Sequence, residues 1–424
     1  MLVQFNFKNY KSFKNEATLD MTATSIKEHP YNLIETKSGS KYLKLAAIYG
    51  ANASGKSNVI EAFCFMHYFI YNSLGMESVE NKRSKKTIPV TGFAFDNDSK
   101  NMPSEFEVFF IQDDTEYQYG FSVDQERVHE EWLYYRKISG KKYNMLFERT
   151  GNNIECGKRM AEAEKFKDAV DDNTLFLTLT ARTKVEVSKT VYQWFFNNTS
   201  VDFGNIAFES LISRRISPEI LENETYKKRI EDFLIAIDTG IKGIRVEKTK
   251  DNENKEAYKV YSRHEIEKSN EYIEIPFDQE SSGTQKMFCL FDFLWDVMKK
   301  GSVLFIDELN AKLHPILVRY IINMFHAPNI NENNAQLVFT THDTFTLTRD
   351  VFRRDEIWFV EKDVAGVSNL YSLAEYKLED DSKVRNDATY SKDYLSGRYG
   401  AVPLLKEFYI LEGQKSGERS RRTV

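Results

Sequence analysis

The stretch Leu45 to Ser57, LAAIYGANASGKS, constrains this chain more than any other. Leu45 to Tyr49 is an apolar run with the length of a buried parallel strand. Gly50-Ala-Asn-Ala-Ser-Gly55-Lys56-Ser57 then fits G-x-x-x-x-G-K-[ST]. Each residue type has a physical task there. Gly50 and Gly55 let the backbone close into a concave loop whose N–H groups point at phosphate oxygens. Asn52, Ala53, Ser54 and Asn58 complete that phosphate-facing set. Lys56 sets a positive charge on the β and γ phosphates of ATP, and Ser57 offers a hydroxyl to Mg²⁺. Val59, Phe63, Met66 and Ile70 follow at helical spacing. The loop therefore opens a helix whose N-terminal dipole also favours phosphate.

A length of 424 residues is enough for two or three lobes with a real core. The net charge of −6 gives no global argument for nucleic acid. Cys64, Cys156 and Cys289 stand at no metal-like spacing, which predicts buried thiols in a reducing cytoplasm. MLVQFNFKNYK reads as no signal segment. The most apolar stretch, Met287 to Met298, is interrupted by Asp292 and Asp296, so no membrane span is expected.

Val3, Phe5 and Phe7 alternate with polar residues, as do Ala17, Leu19 and Met21. Both segments predict half-buried strands, joined through Asn9-Tyr-Lys-Ser-Phe13. That joint reads as a hairpin-like connection rather than a contact to an adenine ring. Residues 22–44 read as loop. Lys82, Arg83, Lys85 and Lys86 lie in a polar run, a solvated loop first and a phosphate-backbone contact second. Glu105 to Ile111, Tyr117 to Val123 and Val128 to Tyr135 predict an antiparallel meander turning at Asp113-Asp114. Residues 139–160 read as loop, and residues from about 160 to 240 as a helical insertion. Within it, Ser217 and Pro218 look like an N-cap and a first-turn proline. Ile230, Phe233, Leu234 and Ile237 form an apolar stripe, and Gly240 looks like its stop. Strands are expected again at Ile241 to Val246, Ala257 to Tyr261 and Glu271 to Ile275, with a charged turn at 249–256.

Four further signals lie between residues 280 and 343. Glu280-Ser-Ser-Gly-Thr-Gln285 precedes a helix-like run. Ser282, Gly283, Thr284 and Gln285 can present hydroxyls, bare backbone and an amide to a phosphate. Val303-Leu-Phe-Ile-Asp307-Glu308 is an apolar strand ending in two carboxylates. Asp307 can hold Mg²⁺ through water, and Glu308 can polarise an attacking water. Leu337 to Thr341 is another strand, followed by His342, which can reach the γ-phosphate from the same sheet edge. Glu356 to Val360 completes the core strands.

The order and spacing of these pieces resemble the ATP-binding-cassette (ABC) family. Asp307 stands 24 residues after Gly283, and His342 stands 35 after Asp307. In that family the serine-glycine signature faces the P-loop of a second subunit. Ser282 to Gln285 would be that signature here. Thr284 departs from the usual second glycine, though a small hydroxyl residue still allows close approach. Asn310 matches the dimer-facing D-loop position. Gln112 and Gln118 lie in roughly the region of the Q-loop, in no convincing motif. NYKSF, GANASGKSN, ESSGTQ, IDELNAKLHP, FTTHD and Tyr394 to Pro403 narrow the likeness. Together they look like the AAA-type ATPases of bacterial anti-phage and restriction-linked operons, of the Rlo, abortive-infection L and PARIS ATPase types. These are relatives of the overcoming-lysogenization-defect and SMC-type ABC ATPases. The likeness is strong at residues 1–60 and 280–403 and vague at 140–240. His314, in Leu313-His314-Pro315, is equally a packing or a catalytic residue. Glu379-Asp-Asp381 reads as solvated and the basic tail as disordered.

The expected fold is therefore α/β, an ABC-type P-loop ATPase head with a RecA-like parallel core, an antiparallel β subdomain and a helical insertion. Its expected parts are 1–140, an N-terminal ATPase lobe with the P-loop and meander; 141–245, a mainly helical insertion; 246–405, a C-terminal lobe with signature, Walker B and H-loop; and 406–424, a tail. The resemblance implies a cytoplasmic homodimer or higher homo-oligomer. ATP and Mg²⁺ would bind between its heads and control a separately encoded effector, a Toprim-type nuclease or toxin. A RecF-like DNA-repair clamp is the alternative, with DNA as a possible partner. A transporter motor is disfavoured by the roughly 220 residues between P-loop and signature.

Overall fold

The computed structural model describes residues 1–75, 87–204, 217–238, 240–250, 256–378, 384–385 and 388–403. The basic run Lys82 to Lys86, most of the charged turn at 249–256, the acids Glu379 to Asp381 and the tail 406–424 lie outside the described residues.

Alternating side chains build the first sheet. β1 (Leu2–Lys8) and β2 (Ala17–Asp20) pair antiparallel with Phe5 opposite Leu19. Their connection closes on itself, with Tyr10 N donating to Phe13 O at 2.8 Å. Residues 22–44, expected as loop, contain a small hairpin of β3 (Leu33–Glu35) and β4 (Lys41–Leu43). Three-residue strands are too short to show periodicity, and only Ile34, Tyr42 and Leu43 are buried in them. β5 (Leu45–Gly50) is buried throughout and leads into α1 (Lys56–Asn72). β6 (Ser104–Gln112), β7 (Thr115–Val123) and β8 (Val128–Lys137) form the expected antiparallel meander.

The meander does not end at residue 140. Where a loop was expected, β9 (Asn144–Thr150) and β10 (Asn153–Cys156) continue it. Leu146, Phe147 and Ile154 are their buried apolar side chains, and the outward positions are polar. An edge hairpin with one thin apolar face resembles a loop in sequence. The antiparallel order is β10-β9-β8-β7-β6-β1-β2.

α2 (Phe176–Arg182) and α3 (Glu186–Asn197) pack on this sheet, with Trp194 stacked on Phe110 at 4.1 Å between centroids. Then comes β11 (Thr199–Asp202), a strand inside the region read as helical. α4 (Glu219–Glu222) starts after Pro218, and Ser217 Oγ accepts from Glu219 N at 3.3 Å. The helix breaks at Asn223, whose side chain caps α5 (Glu224–Ile237) through Tyr226 N. Ile230, Phe233 and Leu234 are the buried stripe of α5. β12 (Ile241–Lys250), β13 (Glu256–Glu265) and β14 (Tyr272–Pro276) form a three-stranded antiparallel sheet. Among the described residues, the stretch 141–245 thus holds a 3-10 helical segment (Lys158–Ala169) and α2 to α5, but also β9 and β10 of the first sheet, β11 and the start of β12.

α6 (Ser282–Lys300), β15 (Val303–Asp307), α7 (Pro315–His326), β16 (Gln336–Thr340), β17 (Ile357–Lys362), β18 (Ser368–Ser372) and α8 (Tyr390–Leu395) complete the chain. The second sheet runs β11-β15-β16-β5-β17 in parallel, and β18 closes it antiparallel. β5, β15 and β16 are apolar on both faces because helices cover both. Ala46, Ile48, Phe305 and Val338 face α1 and the antiparallel sheet. Leu45, Ala47, Leu304, Ile306 and Leu337 face α6 and α7. Phe63 of α1 lies between the sheets, stacked on Phe305 at 3.9 Å and edge-on to Phe5 at 5.4 Å. The side chain of Gln336 ties the sheets together, accepting from Leu2 N at 2.6 Å and donating to Leu2 O and Leu43 O. Among the described residues, no helix is long and apolar enough to cross a membrane. The three cysteines are free thiols; Cys289 is buried, while Cys64 and Cys156 are half-buried rather than buried.

Glu131 of β8 is fully buried and serves as the distant cap of α2. It accepts from Phe176 N at 2.7 Å, Leu177 N at 3.0 Å and Tyr119 Oη at 2.9 Å, with Arg149 3.9 Å away. Glu131→Ala leaves the Tyr119 hydroxyl and two helix N–H groups without their buried acceptor and Arg149 without its counter-charge. It should cost about 3 kcal/mol or more, read as a lower urea midpoint at unchanged slope. Glu131→Gln, which keeps an acceptor, should cost less.

Candidate nucleotide-binding site

The loop after β5 is held from behind. A Cβ at Gly55, where φ is +109°, would stand 2.5 Å from Ser368 Oγ and 2.6 Å from Ser12 Oγ. A Cβ at Gly50 would stand 2.4 Å from Val360 O. The two serine hydroxyls are 2.7 Å apart, and Ser368 Oγ donates to Ser54 O at 2.5 Å. Asn58 Nδ2 donates to Ser12 Oγ at 2.7 Å, so this residue, expected to face the cofactor, braces the rear of the loop. Asn52 and Ala53 are exposed on the other side. Ser54 Oγ is buried without a hydrogen-bond partner. The first-turn N–H groups of α1 have no acceptor within the helix, as at any helix N-terminus.

Lys56 is buried, and its Nζ donates to Ala51 O at 3.1 Å. Burial lowers the pKa of its ammonium, while the charges of Glu308 and Asp307 act in the opposite direction. Asp307 ends β15. Its Oδ1 accepts from Thr340 Oγ1 at 2.5 Å, and the Ser57 hydroxyl also bonds its carboxylate. Burial raises its pKa, and the nearby charges of Asp202 and Glu308 add to that. Glu308 turns away at φ +54°, a left-handed backbone that a non-glycine residue adopts only under local constraint. Its N–H donates to Thr340 Oγ1 at 2.8 Å, and its Oε1 lies 3.2 Å from His342 Nε2. The hydrogen bond with His342 holds the Glu308 carboxyl below its usual range, so it stays ionised at neutral pH. Lys56, Ser57, Asp307, Glu308 and His342 are thus gathered at one sheet edge.

Two groups at this edge were not foreseen. Ser12 sits in NYKSF, but its contact to a loop far along the chain has no sequence signal. Asp202 ends β11, which pairs with β15 so that Asp202 lies opposite Asp307. A Cβ at Gly204 would stand 3.2 Å from Asp202 Oδ1 and 3.6 Å from Asp307 Oδ2. A lone aspartate after a four-residue strand carries no motif. Gln112 and Gln118 instead belong to the antiparallel sheet, where Gln118 Nε2 donates to Glu107.

The segment Ser282–Gln285 starts α6, on the face of the parallel sheet opposite α1. α6 spans roughly 28 Å and β15 roughly 17 Å. The two run antiparallel, so the N-terminus of α6 reaches beyond the edge where Asp307 stands. Ser282 is exposed and Gly283 half-exposed. Gln285 turns back, donating to Asp278 O and Glu280 O, and Thr284 is buried. Asn310 also points inward, accepting from Thr341 Oγ1 at 2.8 Å and His342 N at 3.1 Å. His314 caps α7, its Nδ1 accepting from Ile316 N. Tyr394 is not on the surface; it stacks on Phe359 at 5.2 Å and bonds the backbone of Gly50 behind the loop.

Residues 45–348, well over half of the chain, match the family described as "AAA domain, putative AbiEii toxin, Type IV TA system". The chain belongs to this AAA family. The solved structures similar to this AAA-family chain include the following three. A head of Smc bound to the C-winged helix domain of ScpA has 14% identity, covering 90% of this chain and 99% of that one at a TM-score of 0.43. An Smc head with an extended coiled coil from Pyrococcus furiosus, bound to the C-terminal domain of ScpA, has 14% identity over 88% and 96% at 0.42. RecF with ATP has 13% identity over 87% and 97% at 0.31. No curated protein matches.

The residues fit a nucleoside triphosphate with Mg²⁺. Lys56 and the first-turn N–H groups would hold the phosphates; Ser57 and Asp307, with Asp202 beside them, would hold the metal. Gly55→Ala adds a Cβ against two hydroxyls in a backbone region that suits glycine. Binding of a fluorescent ATP analogue should fall about tenfold or more, about 1.4 kcal/mol, with an unchanged far-ultraviolet circular dichroism spectrum.

Proposed function

We propose that this AAA-family chain is an ATP-binding and ATP-hydrolysing switch of a bacterial anti-phage system, acting in the cytoplasm. The contact chain Ser57–Asp307–Thr340–Glu308–His342 carries this reading, because it separates a phosphate-and-metal carboxylate from a water-activating one. Glu308 takes the proton of a water whose oxygen bonds the γ-phosphorus. The bond from that phosphorus to the bridging oxygen breaks, and ADP and phosphate leave. Lys56 and the N–H groups of α1 balance the charge that gathers on the oxygens. Bound Mg²⁺ supplies further positive charge there. His342 keeps Glu308 ionised and oriented.

The exposed Ser282 and half-exposed Gly283 support a second element of the proposal. They lie at the catalytic edge but on the opposite face of the sheet, which suits contact with the triphosphate of a second copy. ATP then closes a dimer, and hydrolysis opens it. A separately encoded effector, a nuclease or toxin, reads the state.

Glu308→Gln should keep ATP binding and reduce single-turnover hydrolysis by roughly 10²-fold or more. Light scattering of this variant should show its mass double with Mg-ATP. A constant monomer would sink the shared site; a constant larger oligomer would replace assembly with a preformed scaffold. Asp202→Ala should raise the Mg²⁺ concentration for half-maximal binding of a fluorescent ATP analogue several-fold, on the order expected for one ligand-sphere partner. It should leave binding without metal unchanged.

A further inference from the structure

Thr284 is where this chain departs from the glycine-rich signature pattern, and the structure gives that hydroxyl a partner. Thr284 Oγ1 donates to Asp238 Oδ2 at 3.0 Å. Ser281 Oγ lies 2.7 Å from Thr284 Oγ1 and accepts from Thr284 N at 3.1 Å, capping α6. Asp238 stands just past the end of α5, and its other oxygen accepts from Gly240 N at 3.0 Å. On the other side of Gly240 is His264 of β13. His264 Nε2 lies 2.6 Å from Glu280 Oε1, and Ser262 Oγ donates to the same Glu280 oxygen. A Cβ at Gly240 would stand 3.3 Å from both Asp238 Oδ1 and His264 Nδ1. The corner between α5 and β12 thus holds two side chains close together, one gripping each end of the turn Glu280–Thr284.

We propose that Asp238, with His264 beside it, is a positioning residue that sets the angle at which Ser282 and Gly283 meet the nucleotide of a second copy. The inference rests on the shared-site reading above. Neither residue touches nucleotide. Both belong to the segment between the two halves of the site, so a displacement of α5 or of the β12–β14 sheet is passed to the turn through two hydrogen bonds. The usual small residue at position 284 offers no such handle; the threonine hydroxyl creates it.

The test uses the full chain carrying Glu308→Gln, with Mg-ATP, and reads two quantities. Fluorescent-ATP affinity of the monomer reports the cis site; the dimer dissociation constant from light scattering reports the trans contact. Asp238→Ala should leave nucleotide affinity within about twofold and weaken dimerisation about tenfold or more. Asp238→Asn, which keeps an oxygen acceptor for Thr284, should restore it. Thr284→Val should weaken dimerisation, and adding Asp238→Ala to it should have no further effect, because both remove the same bond. Equal dimerisation of Asp238→Ala and its parent, or additive effects of the two changes, would overturn the positioning role. Should Asp238→Ala fail to fold, a wild-type dimer constant for Thr284→Val overturns the proposal and a weakened one supports it. A parent that never dimerises overturns the shared site itself, and this role with it.

Discussion

The hydroxyl of Thr340 gives two adjacent carboxylates different surroundings. It donates to Asp307 at 2.5 Å and accepts from the Glu308 N–H at 2.8 Å. One oxygen thereby fixes both the last residue of β15 and the left-handed step that follows it. This depends on register. β15 and β16 pair with Phe305 opposite Val338 and Ile306 opposite Phe339, which brings Thr340 level with Asp307. A slip of one residue would send every side chain of β16 to the other face, and Thr340 with them. The register is held by packing, since both faces of these strands are buried. Gln336 adds a fixed point at the start of β16 by its three bonds to Leu2 and Leu43. Core packing at one end of the strand therefore determines the chemistry at the other.

The same dependence explains which parts were legible beforehand. β5, β15 and β16 are continuous apolar runs that end in chemically distinctive residues, so each strand and the candidate site residues at its end could be read together. The loop's concave side was legible for the same reason: its glycines, Lys56 and Ser57 are local. Its rear was not. Ser12 and Ser368 are far apart in the chain and are ordinary serines until the fold brings them 2.7 Å apart behind Gly55. β9, β10 and β11 were hidden because the edge strands β10 and β11 bury one side chain each and β9 beside the edge has only two buried apolar ones. The rest of such a strand is polar, which is what a loop also shows. Asp202 was lost with β11, because its meaning comes only from lying opposite Asp307.

The positioning role proposed for the region between the halves of the site has a definite energetic scale. A hydrogen bond to a charged acceptor contributes about 1.5–3 kcal/mol, and the turn Glu280–Thr284 is held by two such contacts. Moving a two-state equilibrium from one extreme to the other takes about 5.5 kcal/mol. Two bonds at one turn are thus a sizeable fraction of what a switch requires, without any large rearrangement of the core. Placing them at Gly240 is economical in space, because a side chain there would push Asp238 and His264 apart. The parallel core can stay rigid while the α5–β12 corner shifts. On the proposed mechanism the phosphate loop, anchored on both sheets, would bind nucleotide in every state, and only the turn proposed to face a second copy would carry the signal.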